Sequence, residues 1–145
     1  MVKAIPDGYS SVTPSIITSD ASEFIAFLGS AFGAEERLRM PMPDGKVAHA
    51  EVTIGGAPIM VADAMEGYPA MSSFIHLYVE DVDATHRKAV AAGCTSERGP
   101  EDRFYGDRSA ELHDRWGNRW SIATHVKDVS DEDMMSAMES EMAQA

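Results

Sequence analysis

Thr18-Ser19-Asp20 opens an apolar stretch that closes at Phe32-Gly33-Ala34, and Val79-Glu80-Asp81 opens a second that closes at Ala92-Gly93-Cys94. The two aspartates stand 61 residues apart and the two glycines 60. Each block reads as a strand, a helix, then three short strands. A duplicated unit of that length predicts two half-modules sharing one sheet system, with the functional cleft where the halves meet.

In the first block, Ser11 to Thr18 reads as a strand, irregular at Pro14. Asp20 and Glu23 read as a capping box, and Phe24, Phe27, Leu28, Ala31 and Phe32 recur at helical spacing until Gly33 stops the helix. A short strand at Arg37 to Met40 precedes the turn Pro41-Met42-Pro43-Asp44-Gly45. Gly55-Gly56 then joins Val47–Ile54 to Ala57–Asp63 as a hairpin that sets Val52 opposite Ile59 and Glu51 opposite Met60. Period-two alternation sorts that hairpin into an apolar face (Ala48, Ala50, Val52, Ile54, Ile59, Val61) and a mixed face (Val47, His49, Glu51, Thr53, Met60, Ala62).

The second block repeats the plan. Phe74 to Glu80 is its first strand, Asp81 or Asp83 caps its helix, and Thr95 to Glu97 is a short strand. Ser109–His113 and Arg119–Thr124 form its hairpin, with Leu112 opposite Trp120 and Ala110 opposite Ile122. Ser130 and Asp133 make a capping box for a last helix with Met134, Met135, Met138 and Met142 along one stripe. The fold class is therefore α+β, a single domain: module one over about 8–65, module two over about 72–127, and an acidic C-terminal helix over about 130–143.

The 145 residues suffice for one workable core, and the net charge of −12 argues against nucleic acid and anionic membrane as partners. Between Asp128 and Ala145 there are six acidic residues and no basic one, as in a solvated acidic helix. No apolar run is long enough to span a bilayer. The single cysteine, Cys94, rules out a disulfide within the chain and points to a reducing, cytoplasmic setting; it reads as a buried packing residue.

On the mixed faces, His49 and Glu51 are two apart on one strand, His76 belongs to the first strand of module two, and Glu111 to its hairpin. If these four converge they are the candidate catalytic groups, and three chemistries are open. They could hold one divalent metal (Zn, Fe, Ni or Mn) at His49, Glu51 and His76. A carboxylate could act as base beside a histidine without metal. They could also recognise a ligand or form a satisfied network. Tyr78, Tyr105, Arg108, Trp116, Met60 and Phe74 complete the expected ligand-binding set, and rings plus one cation suit a small organic molecule with an anionic or aromatic part.

Several stretches resemble the vicinal oxygen chelate superfamily of glyoxalases, bleomycin-resistance proteins and dioxygenases, in particular its PhnB-like branch. They are Arg39 to Lys46, His49-Ala50-Glu51, His76 to Asp81, Tyr105 to Ser109, and Asp114 to Trp120. The resemblance covers about residues 8–127 and implies two βαβββ modules in a curved mixed sheet. It also implies a homodimer in the cytoplasm, with a cleft that two chains share in many members. The family's four metal positions fall on Thr13, Met60, Phe74 and Ser121, and none of these is a good ligand for a catalytic metal. The expectation is a protein that binds a small organic molecule in a polar-aromatic cleft, with no cofactor and no metal at the usual place. The alternative is a metal-dependent lyase, isomerase or dioxygenase using His49, Glu51 and His76.

Overall fold

The computed structural model describes residues 1–145. Module one contains β1 (Ser15–Thr18), α1 (Ala21–Phe32), β2 (Glu35–Pro41), β3 (Val47–Ile54) and β4 (Ala57–Asp63). Module two contains β5 (Phe74–Tyr78), α2 (Val82–Ala91), β6 (Thr95–Asp102), β7 (Asp107–His113) and β8 (Arg119–His125), and α3 (Asp131–Ala143) follows. The mixed sheet is carried as two four-stranded halves, ordered β1-β4-β3-β2 and β5-β8-β7-β6. In each half the first strand runs parallel to the last, with Ile16 beside Val61 in one and Leu77 beside Ile122 in the other.

The apolar residues that alternation assigned to one face meet the helices. Ala50, Val52, Ile54, Ile59 and Val61 are buried under α1, and Ala110, Leu112, Trp120 and Ile122 under α2. Pairings Val52–Ile59, Glu51–Met60, Leu112–Trp120 and Ala110–Ile122 hold as the turns require. One position is sorted differently. A register shift between Met40 and Pro41 moves the pairing from His49 to Val47, so Val47 is core at 1% exposure while Ala48 is only half-buried.

Strand β1 is shorter than the alternation implies, because Pro14 has no N–H for the ladder; its carbonyl still accepts from Met60 at 2.9 Å. The caps also differ. Asp81 caps α2 through Ala84 N–H at 3.0 Å, and Ser130 caps α3 through Asp133 N–H at 3.1 Å. Asp20 makes no such bond: it is left-handed, with φ 54°. The Ala21 N–H of α1 donates instead to Asp63, at 2.9 Å, from the end of β4.

The modules join on their helical side. Helices α1 and α2 pack together, and the rings of Phe24 and Phe27 lie 5.1 and 5.5 Å from Trp116. Phe32 meets Trp120 at 4.6 Å. Trp116 therefore belongs to the seam between modules and not to a cleft. The opposite, concave faces of the two sheets stay open. The chain after β8 is tied to the β6–β7 turn, where the Gly106 carbonyl accepts from both Val126 and Lys127. A Cβ at Gly106, whose φ is +96°, would strike the Lys127 carbonyl. Helix α3 buries no residue completely.

Candidate ligand-binding cleft

On the concave face of sheet one, Glu51 lies between Met60 on β4 and Leu38 on β2, and His49 lies opposite Met40. His49 Nε2 and Glu51 Oε2 are 3.2 Å apart and both side chains are partly buried. Alternation along β3 accounts for this: residues two apart share a face and a side-chain spacing that lets them bond.

On the concave face of sheet two the same alternation builds a longer polar array. Glu111 lies opposite Ser121, which lies beside His76. His76 Nδ1 and Ser121 Oγ are 2.9 Å apart. The Arg98 guanidinium donates to Ser109 Oγ at 3.2 Å and stands 3.7 Å from Glu111. One step along the strands, the Tyr78 hydroxyl donates to Asp107 Oδ2 at 2.9 Å, and His125 Nδ1 meets Asp107 Oδ1 at 2.7 Å. His125 Nε2 meets the exposed Asp128 at 2.8 Å. Ionised carboxylates only accept, so one at each ring nitrogen favours the imidazolium form of His125. The Asp107 bond, then the Asp128 bond, raise its pKa. The Asp107 bond, helped by burial, also raises the Tyr78 phenol above its ordinary value.

Sequence reasoning gave His125 and Asp107 no role. The signal was available: extending the register from Leu112–Trp120 towards the hairpin's open end reaches Asp107–His125. The same extension places Arg108 on the face of Ala110 and Leu112, turned towards the helices. There it donates to Asp83 at 2.8 and 3.0 Å and to Asp102 at 3.2 Å, holding the Asp83 carboxyl below its ordinary range. Arg108 is thus absent from the concave face. Tyr105 stacks edge-on with Phe104, 5.2 Å away, beside Met134 and Met138 of α3. Phe74, 62% exposed, lies beneath Arg119. Met60 and Tyr78 are the other expected ligand contacts that do face the open concave surfaces. Burial pushes the Cys94 thiol up to about 12, which fits an inert packing residue.

One chain does not gather His49, Glu51, His76 and Glu111. The first pair sits on sheet one and the second on sheet two, because the modules meet through their helices. No three His, Cys, Asp or Glu side chains come together to hold a metal ion. The family's usual positions do not fit one either. Met60 lies opposite Ser15, Ser121 beside His76, Phe74 carries no donor atom, and Thr13 precedes β1.

A family model described as the glyoxalase/bleomycin resistance protein/dioxygenase superfamily matches residues 10–122. The chain belongs to that superfamily. It is 36% identical over 141 residues to an uncharacterised protein of Mycobacterium bovis, covering 90% of this chain and 93% of the relative. An uncharacterised protein of Mycobacterium tuberculosis matches at 36% over 90% of this chain and 83% of its own length. Among solved structures, TioX from Micromonospora sp. ML1 is similar with a TM-score of 0.70 at 25% identity, over 81% of this chain and 99% of TioX. A family enzyme from Burkholderia phytofirmans shares the fold with a TM-score of 0.64 at 22% identity, over 77% of this chain and 95% of that one. Superfamily membership fixes the architecture and leaves the reaction to the site, since this fold hosts many activities.

Proposed function

We propose that the chain is a small-molecule-binding protein of the glyoxalase/bleomycin-resistance type, with a polar-aromatic cleft that a second copy completes and no metal at the superfamily's usual place. The observation that carries this reading is the pair of open concave faces. Leu38 and Met40 on sheet one are 43% and 47% exposed, and Phe74 and Tyr78 on sheet two are 62% and 65% exposed. Large apolar side chains grouped around polar pairs mark surfaces meant to be covered. A second copy laying its sheet one over this sheet two would bring His49 and Glu51 to His76 and Glu111, the convergence that one chain lacks. Rings and aliphatic groups would then supply the burial, and the four polar groups the orientation, of an enclosed organic ligand.

The test combines light scattering with native mass spectrometry and elemental analysis of the purified chain and its His49→Ala variant, after incubation with a cell extract. The expected result is a dimer that retains a stoichiometric organic molecule, retains less of it in the variant, and carries no stoichiometric metal. Stoichiometric metal that His49→Ala removes would instead favour a lyase, isomerase or dioxygenase with its metal at His49, Glu51 and His76. A monomer at micromolar concentration without ligand would end the binding reading.

A further inference from the structure

The sequence suggested a ligand with an anionic or aromatic part, the anionic option resting on Arg108; the structure turns that cation away. A groove of about 980 Å³ runs beside β5, with Phe32 and Ile54 on one wall and His76, Tyr78, Glu80 and His125 on the other, and no Lys or Arg lines it. Arg108 is committed to Asp83 and Asp102 on the helical side, Arg98 to Ser109 and Glu111, and Arg103 to Glu101.

The free polar atoms of Tyr78 and Glu80 are acceptors, while His76 and Thr85 in the same lining can also donate. Tyr78 has given its proton to Asp107, whose side chain is 5% exposed, so the lone pairs left on the phenol oxygen are what a ligand can use. Asp107 accepts from Tyr78 on one oxygen and meets His125 on the other, and so holds the phenol in place. Both N–H groups of His125 are spent on carboxylates, so its charge is answered before a ligand arrives. Glu80, at the exit of β5, adds an unpaired carboxylate. Asp107 and Asp128 thus flank the His125 ring, and Glu80 lines the same groove. Such a wall attracts a cation and repels an anion, and an aromatic ring beside it adds attraction for an ammonium group.

We infer that the Tyr78 end of the cleft is a subsite for a protonated amine carried on a flat organic frame, with the Tyr78 oxygen accepting from the ammonium and Asp107 acting as the positioning residue behind it. This rests on the binding reading above and narrows its ligand class. Glu80 disfavours anionic ligands of the same shape there.

The experiment compares two probes of like shape, phenethylamine and 3-phenylpropionate, titrated into the full chain at pH 7 and low salt by calorimetry and protein NMR. The amine is expected to bind about tenfold more tightly than the carboxylate, the factor one charge-assisted hydrogen bond supplies. Tyr78→Phe should remove most of that preference while the NMR spectrum stays that of a folded chain, and Glu80→Gln should reduce it, as should added salt. Equal or tighter binding of the carboxylate would overturn the subsite and leave the binding reading intact. Amine binding indifferent to both variants would overturn it as well, and so would binding of neither probe, because the binding reading is judged separately on ligand retained from extract.

Discussion

The two modules share a backbone plan and divide its tasks. In module one the helix does most of the packing: α1 buries Ala21, Phe24, Ile25, Phe27, Leu28 and Ala31, whereas α2 buries only Val82 and Ala89. In module two the work passes to buried polar groups. Asp114 accepts from the Trp116 and Asn118 backbone N–H groups, from Asn118 Nδ2 and from Trp120 Nε1, all at 2.8–2.9 Å. Even the shared devices differ in chemistry. Helix α1 is satisfied at its start by Asp63 and helix α2 by Thr124, 61 positions later, whose hydroxyl accepts from Val82 and donates to the Val79 carbonyl. Asp63 also takes the Val47 N–H at 2.7 Å. Module one therefore buries more apolar helix surface and module two more polar groups, and module two carries the richer polar face.

This contrast is open to attack by substitution. The sharpest break is Ala50→Lys against Glu51→Lys. Ala50 is fully buried under α1, and an ammonium there should cost on the order of 4 kcal/mol or prevent folding. The same change one residue on, at the concave face, should cost under about 1 kcal/mol. Equal urea midpoints for the two variants would contradict the face assignment. Next, Asp114→Ala leaves four donors without their acceptor, two of them on buried Asn118 and one on buried Trp120, and should cost about 3 kcal/mol in urea unfolding. Asp63→Thr copies module two's device into module one. It should keep the Ala21 bond, lose the Val47 bond, and cost about 1–2 kcal/mol. If the two costs came out reversed, the division between apolar and polar support would fail.

The smallest effect concerns pH. His125 has its pKa raised in the folded chain by Asp107 and Asp128. Its contribution is fully present below the unfolded value of about 6.5. It is lost as pH rises through the folded-state value, when the imidazole gives up its second proton. The stability difference between the wild type and His125→Gln should therefore shrink as pH climbs from 6 to 9, measured by urea midpoints. A difference that grows with pH would show that the ring is not held as the cation.

Local chemistry made much of this legible from sequence. Gly55-Gly56 and strict alternation fix the pairing of Val52 with Ile59, and the duplication fixes where the second set of elements falls. What stayed hidden were effects of context. Val47 becomes core through a bulge that period-two counting cannot see. Asp20 cedes its capping role to Asp63, which is remote in sequence. Trp116 reads as a ligand contact until α1 is placed against it. Arg108 shared its parity with Ala110 and Leu112, but starting that strand at Ser109 left Arg108 outside it, whereas β7 begins at Asp107. Convergence of His49 and Glu51 with His76 and Glu111 depends on how whole sheets are arranged, and residue spacing carries no information about that.

The crossing at Gly106 makes the acidic tail a detachable appendage. Two amide bonds onto one carbonyl, at a position where even a methyl group has no room, fasten everything beyond His125 to the second sheet. Nothing in α3 is fully sunk in the body, so a single alanine at that crossing would dislodge the tail's main-chain anchor and leave both cores of the molecule intact.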